Sequence, residues 1–147
     1  MKRILVLTFI MALATGTVEA KTTPAKKAKA AAGIQFTEGK WKQILEKAKK
    51  EKKMIFFDAY ASWCGPCKTM QKYVFTQPNV GEFYNKNFVN VKIDMEEGEG
   101  PQLAAMYPLS AYPTLFFMDS NGKVIKRVEG SMDPDALINL GKSVLKK

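Results

Sequence analysis

The chain of 147 residues contains no histidine and only two cysteines, Cys64 and Cys67. Structural zinc ions in proteins take four ligands, which are mostly cysteine and histidine side chains. One copy of this chain therefore cannot complete such a site, and a zinc ion shared by the cysteine pairs of two copies is the metal alternative that remains. The lack of histidine also argues against copper sites built from cysteine and histidine. We expect no metal.

Acidic residues are missing from residues 21–32, which carry four lysines, so much of the chain's formal net charge of +9 lies there. A segment of lysine, alanine, threonine and proline cannot build a core, which predicts a solvated Lys/Ala-rich linker over residues 21–35. A nucleic-acid-binding domain would interleave basic and aromatic residues on its folded part, and the sequence has no such stripe. We expect no nucleic-acid partner.

Long hydrophobic runs are also missing, because the most apolar stretch, residues 4–14, is too short to span a bilayer comfortably. It follows Lys2 and Arg3 and precedes the small side chains around Ala20. This pattern predicts a signal peptide over residues 1–20, cleaved after Ala20. The alternative is a retained N-terminal anchor. Both interpretations place the domain outside the cytoplasm and indicate a bacterial periplasm.

Residues 36–147 carry the periodicities of one α/β domain, with Thr37 as the expected N-cap of its first helix. The predicted helices cover Trp41–Ala48, Cys67–Val74, Val80–Tyr84, Pro101–Tyr107 and Asp133–Val144, and the predicted strands are Met54–Tyr60, Phe88–Asp94, Thr114–Asp119 and Lys123–Glu129. Helices alternate with strands first and an Asn-Gly hairpin comes late. This order predicts a central mixed β-sheet, flanked by helices on both faces, with an antiparallel edge.

The two cysteines lie in the sequence WCGPC, between the first predicted strand and a helix. As a structural crosslink they would contribute little, because a disulfide that closes so short a loop removes little chain entropy. A redox pair uses every residue of the motif. The helix N-terminus would favour a thiolate at Cys64, and Cys67 lies one turn later, within reach of a mixed disulfide on Cys64. Pro66 suits the first helical turn, and Gly65 removes bulk beside the nucleophile.

Asp58 is the one charged residue in the apolar run MIFFDAY, six residues before Cys64. A buried, unpaired carboxylate has a raised pKa, and such a group behind Cys67 could accept and return its proton during disulfide exchange. The alternative is a purely structural role in which a backbone N–H or a lysine satisfies the carboxylate.

Pro113 precedes a predicted strand in the sequence AYPTLFF. Bonds preceding proline are the ones that adopt the cis form. We expect a cis Tyr112–Pro113 bond that faces the cysteines and leaves the Tyr112 backbone free for an extended substrate. The alternative is an ordinary trans proline at the start of a strand.

WCGPC, Asp58, Pro113 and Gly130 together resemble the thioredoxin family over residues 36–147. The segments KTMQKYVFTQPNV and YPTLFFMDSNGKV resemble most closely the exported C-terminal domain of the bacterial membrane disulfide reductase DsbD. In thioredoxins a lysine on the neighbouring strand pairs with the buried carboxylate. Here Asn90 stands at that position, and Lys92 follows two residues later.

The resemblance implies a thioredoxin-like fold and a thiol–disulfide oxidoreductase without a dissociable cofactor. It implies that Cys64 is the nucleophile, Cys67 the resolving thiol and Asp58 the proton acceptor. The partners would be client proteins with disulfides and a membrane electron donor of the DsbD type. The implied docking surface consists of Trp63, Gly65, Pro66, Ala111, Tyr112 and Pro113.

The direction of electron flow is predicted from the residues between the cysteines. Gly-Pro is the dipeptide of reducing thioredoxins, whereas oxidants often carry a histidine that stabilises the thiolate, so the absence of histidine favours a reductase. The alternatives are a disulfide oxidase or isomerase, and a thioredoxin-fold module that binds clients without catalysis. We expect Cys64 to be exposed and Cys67 to be buried.

Overall fold

The computed structural model describes residues 33–146, and the predicted signal peptide and residues 21–32 of the predicted linker lie outside this range. Within it the elements follow the predicted order. The helices are α1 (Trp41–Glu51), α2 (Gly65–Tyr73), α3 (Pro78–Asn87), α4 (Gly100–Met106) and α5 (Pro134–Leu145), and the strands are β1 (Met54–Tyr60), β2 (Phe88–Asp94), β3 (Thr114–Met118) and β4 (Val124–Glu129). None of these described helices has the length and hydropathy needed to cross a membrane.

The strands form one sheet in the order β2-β1-β3-β4. β1 is parallel to β2 and antiparallel to β3, and β4 pairs with β3 as an antiparallel hairpin. The predicted mixed sheet with an antiparallel edge is therefore confirmed. β1 lies inside the sheet and is covered on both faces, which explains why its sequence is apolar at successive positions and does not alternate with polar residues.

Alternate residues of the strands contribute to two cores, one on each face of the sheet. Ile55, Phe57 and Ala59 of β1 pack with residues of α1 and α4. Phe56 packs with residues of α2, α3 and α5. Side chains two residues apart on a strand share a face, so Asp58 lies on the same side as Phe56. Helix α2, which starts inside the cysteine motif, therefore covers the face that holds Asp58.

Hydrogen bonds join Gly33, Ile34 and Gln35 to the folded domain. The N–H of Ile34 donates to the Phe75 carbonyl at 2.6 Å, and the N–H of Gln35 donates to Oδ1 of Asn85 at 2.8 Å. The Asn85 amide in turn donates to the Gly33 carbonyl at 3.0 Å. The last three residues of the predicted linker are thus attached to α3 and to the loop that precedes it.

Helix α1 begins one turn later than its predicted cap. Its N-cap is Lys40, so the prediction that Thr37 caps this helix is wrong. The first N–H group of α1, on Trp41, donates to a carboxylate oxygen of Glu99 at 2.9 Å, and Thr37 donates its N–H to the Asn90 carbonyl. A distant side chain therefore satisfies a helix terminus that a local residue was expected to satisfy.

Candidate redox site

Helix α2 starts at the cysteine motif. Cys64 has extended backbone dihedrals and occupies the N-cap, and Pro66 lies in the first turn, where no intrahelical partner exists for the missing N–H. Cys64 and Cys67 are joined as a disulfide. The Cys67 N–H points at the Cys64 sulfur, with an N···Sγ distance of 3.1 Å. In the reduced protein a donor placed there would favour negative charge on that sulfur.

Both cysteines are buried, with exposed fractions of 3% for Cys64 and 1% for Cys67. The prediction that Cys67 is buried is confirmed, and the prediction that Cys64 is exposed is wrong. The two residues pack with Ala61, and the partly buried rings of Tyr60 and Tyr112 lie against them. The Tyr112 ring comes from a distant segment of the chain, so a local pattern at the motif could not have shown that it covers Cys64.

Asp58 is buried, as predicted, on the sheet face that α2 covers, and neither of its oxygens has a hydrogen-bond partner among the described residues. Burial raises the pKa of Asp58 to about 7, and the positive charge of Lys92 opposes this shift. Lys92 is the residue of β2 that lies opposite Asp58 in the parallel register. A carboxyl group with such a pKa can take up and release a proton near neutral pH.

Asn90, which stands where thioredoxins carry a lysine, has a different set of contacts. It is buried, and its amide nitrogen lies 3.1 Å from Oδ1 of Asn85 and 3.4 Å from the Gln35 carbonyl. Asn90 thus helps to hold the N-terminal segment against the sheet. The cation that acts on Asp58 comes from Lys92, two residues along the same strand face.

The loop before β3 carries Ala111, Tyr112 and Pro113. The Tyr112–Pro113 peptide bond is cis, as predicted. The Thr114 hydroxyl donates to the Ala111 carbonyl at 2.7 Å, and the N–H of Gly130 donates to the Pro113 carbonyl at 2.8 Å. Neither the N–H nor the carbonyl of Tyr112 bonds to a residue that the structure describes. This short stretch of backbone can therefore pair with an extended segment of another protein.

Trp63, Gly65 and Pro66 lie on the surface beside the disulfide, and Trp63 exposes 66% of its area. The Trp63 ring meets the Tyr112 ring edge to face, with 5.7 Å between their centres. Its indole N–H donates to Oε2 of Glu96 at 2.8 Å. The structure thus brings the motif and the loop before β3 together, although their residues are far apart in sequence.

Two acidic residues of the site were not predicted from the sequence: Asp94, at the end of β2, and Glu96, in the loop that follows. Asp94 accepts the N–H of Ser62 at 2.8 Å on one carboxylate oxygen and the N–H of Glu96 at 3.0 Å on the other. The pairing of the strands could have indicated that this loop lies beside the cysteine motif. Because β1 and β2 are parallel neighbours, the loops after their carboxyl ends meet at one edge of the sheet, and one of these loops holds the cysteine motif.

The arrangement supports disulfide exchange and offers no cluster for a metal. Two sulfurs lie at the start of α2, a buried carboxyl group with a raised pKa lies on the sheet face that α2 covers, and the backbone of Tyr112 has no partner among the described residues. Within residues 33–146, no group of three or more cysteine, aspartate or glutamate side chains is placed to hold a metal ion.

Similar domains occur among known families and solved structures. The profile described as "Thioredoxin-like domain" matches residues 41–145. The structure of a putative disulphide-isomerase from Bacteroides thetaiotaomicron is 41% identical in sequence. Its alignment covers 80% of this chain and 97% of that one, with a TM-score of 0.70. The oxidised C-terminal domain of Neisseria meningitidis DsbD is 25% identical in sequence. Its alignment covers 69% of this chain and 90% of that one, with a TM-score of 0.59.

Curated relatives include the thiol:disulfide interchange protein DsbD of Haemophilus influenzae (strain PittEE). It is 30% identical over 123 residues, which are 80% of this chain and 21% of the relative. The chain therefore spans about a fifth of the length of this curated relative.

Proposed function

Because this chain belongs to the thioredoxin-like family, we propose that it is a thiol–disulfide oxidoreductase that reduces the disulfides of client proteins outside the cytoplasm. The observation that carries the proposal is the Cys64–Cys67 pair at the start of α2. A pair of sulfurs one helical turn apart can break a disulfide in another protein and close into its own.

Cys64 is the nucleophile in the proposed reaction. The Cys67 N–H and the positive end of α2 favour its thiolate in the reduced protein. The thiolate attacks one sulfur of a client disulfide and forms a mixed disulfide with it, while the other client sulfur leaves as a thiolate. One sulfur–sulfur bond forms as another breaks, so no oxidant or reductant is needed at this step.

Cys67 completes the reaction. Its thiol loses a proton and attacks the Cys64 sulfur, which closes the Cys64–Cys67 disulfide and releases the second client sulfur as a thiolate. Two electrons have then moved from the cysteine pair to the client. Asp58 accepts the proton of Cys67 and passes it to the leaving thiolate, because burial gives Asp58 a pKa of about 7.

The client binds in extended form beside the disulfide. The unpaired N–H and carbonyl of Tyr112 supply backbone hydrogen bonds to it, as an exposed strand edge does. The side chains and backbone around it form the docking surface: Trp63, Gly65, Pro66, Ala111, Tyr112 and Pro113.

Trapping tests this assignment. A Cys67→Ser variant is expected to accumulate mixed disulfides with clients, because no second thiol can release them. Non-reducing gels of cell envelopes would show the complexes as bands that disappear on reduction. A Cys64→Ser variant is the matched control and is expected to form none. If Cys64→Ser traps clients and Cys67→Ser does not, the assigned roles are reversed, and the absence of bands with both variants contradicts the function.

An isomerase is the second candidate, because the Bacteroides thetaiotaomicron structure of 41% identity is titled a putative disulphide-isomerase. An isomerase would restore activity to ribonuclease with scrambled disulfides under a redox buffer. A reductase would break disulfides without restoring the native set. Comparing refolding with simple reduction of the same substrate separates the two functions.

Location and electron supply are part of the proposal. Residues 1–20 have the composition of a signal peptide, so the domain is exported to the periplasm. A reductase in an oxidising compartment must be recharged after each turnover, and a membrane donor of the DsbD type would do this. Cell fractionation, with and without residues 1–20, tests the location.

A further inference from the structure

We infer that Glu96 is a positioning residue for the proposed reaction: it fixes the Trp63 ring against Tyr112 and so shapes the surface on which protein clients dock. The inference rests on the proposed function. It concerns a residue that lies 32 positions after Cys64 in sequence and outside the cysteine motif.

The state of Trp63 requires an explanation. The side chain exposes 66% of its area, and a ring so exposed would ordinarily sample several rotamers. Here it has two contacts that define its orientation. Its indole N–H donates to Oε2 of Glu96 at 2.8 Å, and the edge-to-face contact with Tyr112 has an interplanar angle of 79°.

Glu96 can hold this ring because its own backbone is held. The Glu96 N–H donates to Asp94, whose other carboxylate oxygen accepts the N–H of Ser62. The intervening Met95 is buried, and its N–H donates to the Tyr60 carbonyl at 2.8 Å. The two residues immediately before Glu96 are therefore bonded to the end of β1 and to the loop that follows it. A carboxylate on such a loop is pre-organised as an acceptor.

Glu96 also lies near Tyr112, whose ring packs against the disulfide. Partial burial raises the pKa of the Tyr112 hydroxyl, and the neighbouring carboxylates of Glu96 and Asp94 raise it further. One carboxylate thus lies beside two rings, one from the cysteine motif and one from the loop before β3. Tyr112 is the residue whose backbone is free to pair with a client.

Holding the two rings in place lowers the cost of docking. A large client must order the side chains that it contacts, and side chains ordered in advance reduce that cost. A small disulfide reagent contacts far less of this surface than a protein client does, so the order of the two rings matters less to it. Glu96 should therefore affect the KM for protein clients and leave the reactivity of Cys64 toward small disulfides unchanged.

The kinetic test compares Glu96→Ala with Glu97→Ala, which removes the same charge from the next exposed residue. Insulin with dithiothreitol as the reductant is the protein assay, and the small-disulfide assay adds 5,5′-dithiobis(2-nitrobenzoate) to the pre-reduced protein after dithiothreitol has been removed. Glu96→Ala is expected to raise the KM for insulin about threefold to fivefold, the effect of one hydrogen bond, with the rate on the small disulfide unchanged. Glu96→Gln keeps an acceptor oxygen and is expected to recover most of the loss.

A double-mutant cycle shows whether Glu96 acts through the indole. Trp63→Phe keeps a ring and removes the N–H donor, so Glu96→Ala is expected to have no further effect on insulin kinetics in that background. Time-resolved fluorescence anisotropy gives a readout independent of activity. Trp41, the chain's other tryptophan, is buried, so faster local motion in Glu96→Ala reports on Trp63.

Three results would overturn the inference: equal insulin kinetics and anisotropy for Glu96→Ala and Glu97→Ala, additive effects of Glu96→Ala and Trp63→Phe, or equal slowing on insulin and on the small disulfide. If the unsubstituted protein reduces neither substrate, the proposed function fails. The anisotropy comparison still decides whether Glu96 holds Trp63.

Discussion

Folding changes the acid–base chemistry of Asp58. Its carboxyl group is buried among apolar side chains, and Lys92 offsets the effect of burial only in part. Burial disfavours the charged form, which is why the pKa rises from 3.8 to about 7. A carboxylate kept for stability alone would have hydrogen-bond partners, and the described residues provide none. The site therefore gives up stability for a group that exchanges protons near neutral pH.

This arrangement predicts the pH dependence of stability. Between about pH 4 and pH 7 the folded protein holds a proton on Asp58 that the unfolded chain has lost, so the free energy of unfolding should fall as pH rises through this window. Below pH 4 both states are protonated, and the Asp58 contribution is constant. Asp58→Asn should be more stable than the unsubstituted protein at pH 8, by roughly 2–4 kcal/mol, and about equal at pH 4. Urea unfolding of the oxidised protein measures both values.

Glu82→Gln is the matched control for this experiment, since Glu82 is exposed on α3. It should leave the difference between pH 4 and pH 8 unchanged. If Asp58→Asn shows the same pH dependence as the unsubstituted protein, Asp58 does not titrate in the folded state near pH 7, and its proposed role as proton acceptor fails with it.

The residues of the site differ in how far the sequence could predict them. The burial of Asp58 follows from a charge inside an apolar strand, and the family pattern indicated the cis bond before Pro113. The burial of Cys64 could not be predicted, because the Tyr112 ring reaches it through tertiary packing. Glu96 lies in a loop whose acidic residues are individually ordinary, and only its contact with Trp63 distinguishes it.

At the scale of helices and strands, periodicity was sufficient for the order of elements and for the sheet. The spacing of apolar residues along a segment shows whether it buries one face or two, and this spacing can be read from the local sequence. The start of α1 was different. Thr37 has the side chain of a cap, but its backbone is bonded to Asn90 on β2, and Glu99 from a distant loop serves the first N–H of the helix. Tertiary contacts determine where α1 starts, so local capping preference predicted the wrong N-cap residue.

The packing of α5 on α3 makes a second prediction. Gly141 of α5 faces α3, where an added Cβ would lie 2.6 Å from the edge of the Phe83 ring and 3.2 Å from the Tyr84 hydroxyl oxygen. Alanine would gain up to about 1 kcal/mol of helix propensity, and overpacking costs about 1–3 kcal/mol. Gly141→Ala is therefore expected to lower the free energy of unfolding by about 1 kcal/mol, as measured by urea unfolding.

Tyr84→Phe is the variant that tests the cause. The Tyr84 hydroxyl donates to the Leu137 carbonyl of α5 at 2.8 Å, so its removal alone should cost about 1 kcal/mol. The same change removes one of the atoms that crowd position 141. Gly141→Ala should then cost less in the Tyr84→Phe background than in the unsubstituted protein. Strictly additive effects would contradict this account of the helix contact.

At the scale of the whole molecule, the fold permits disulfide exchange but does not by itself set the direction of electron flow. The helix start, the buried carboxyl group and the loop before β3 permit disulfide exchange in either sense, because exchange is reversible. What sets the direction is the relative stability of the thiolate and the disulfide, together with the supply of electrons. The chain has no histidine to stabilise the Cys64 thiolate, and Gly65 and Pro66 between the cysteines carry no charge.

We expect the Cys64–Cys67 couple to have a reduction potential near that of thioredoxin, roughly −270 mV, measured by equilibration with glutathione. Pro66→His would place a cation one residue before Cys67 and favour the reduced, thiolate form, so this variant should have a higher potential. Gly65→Ala, which adds no charge, is the control and should shift the potential less. A potential near −120 mV for the unsubstituted protein, the range of a dedicated oxidant, would contradict the reductase assignment. So would a Cys64–Cys67 pair that stays oxidised in cells with an intact envelope donor.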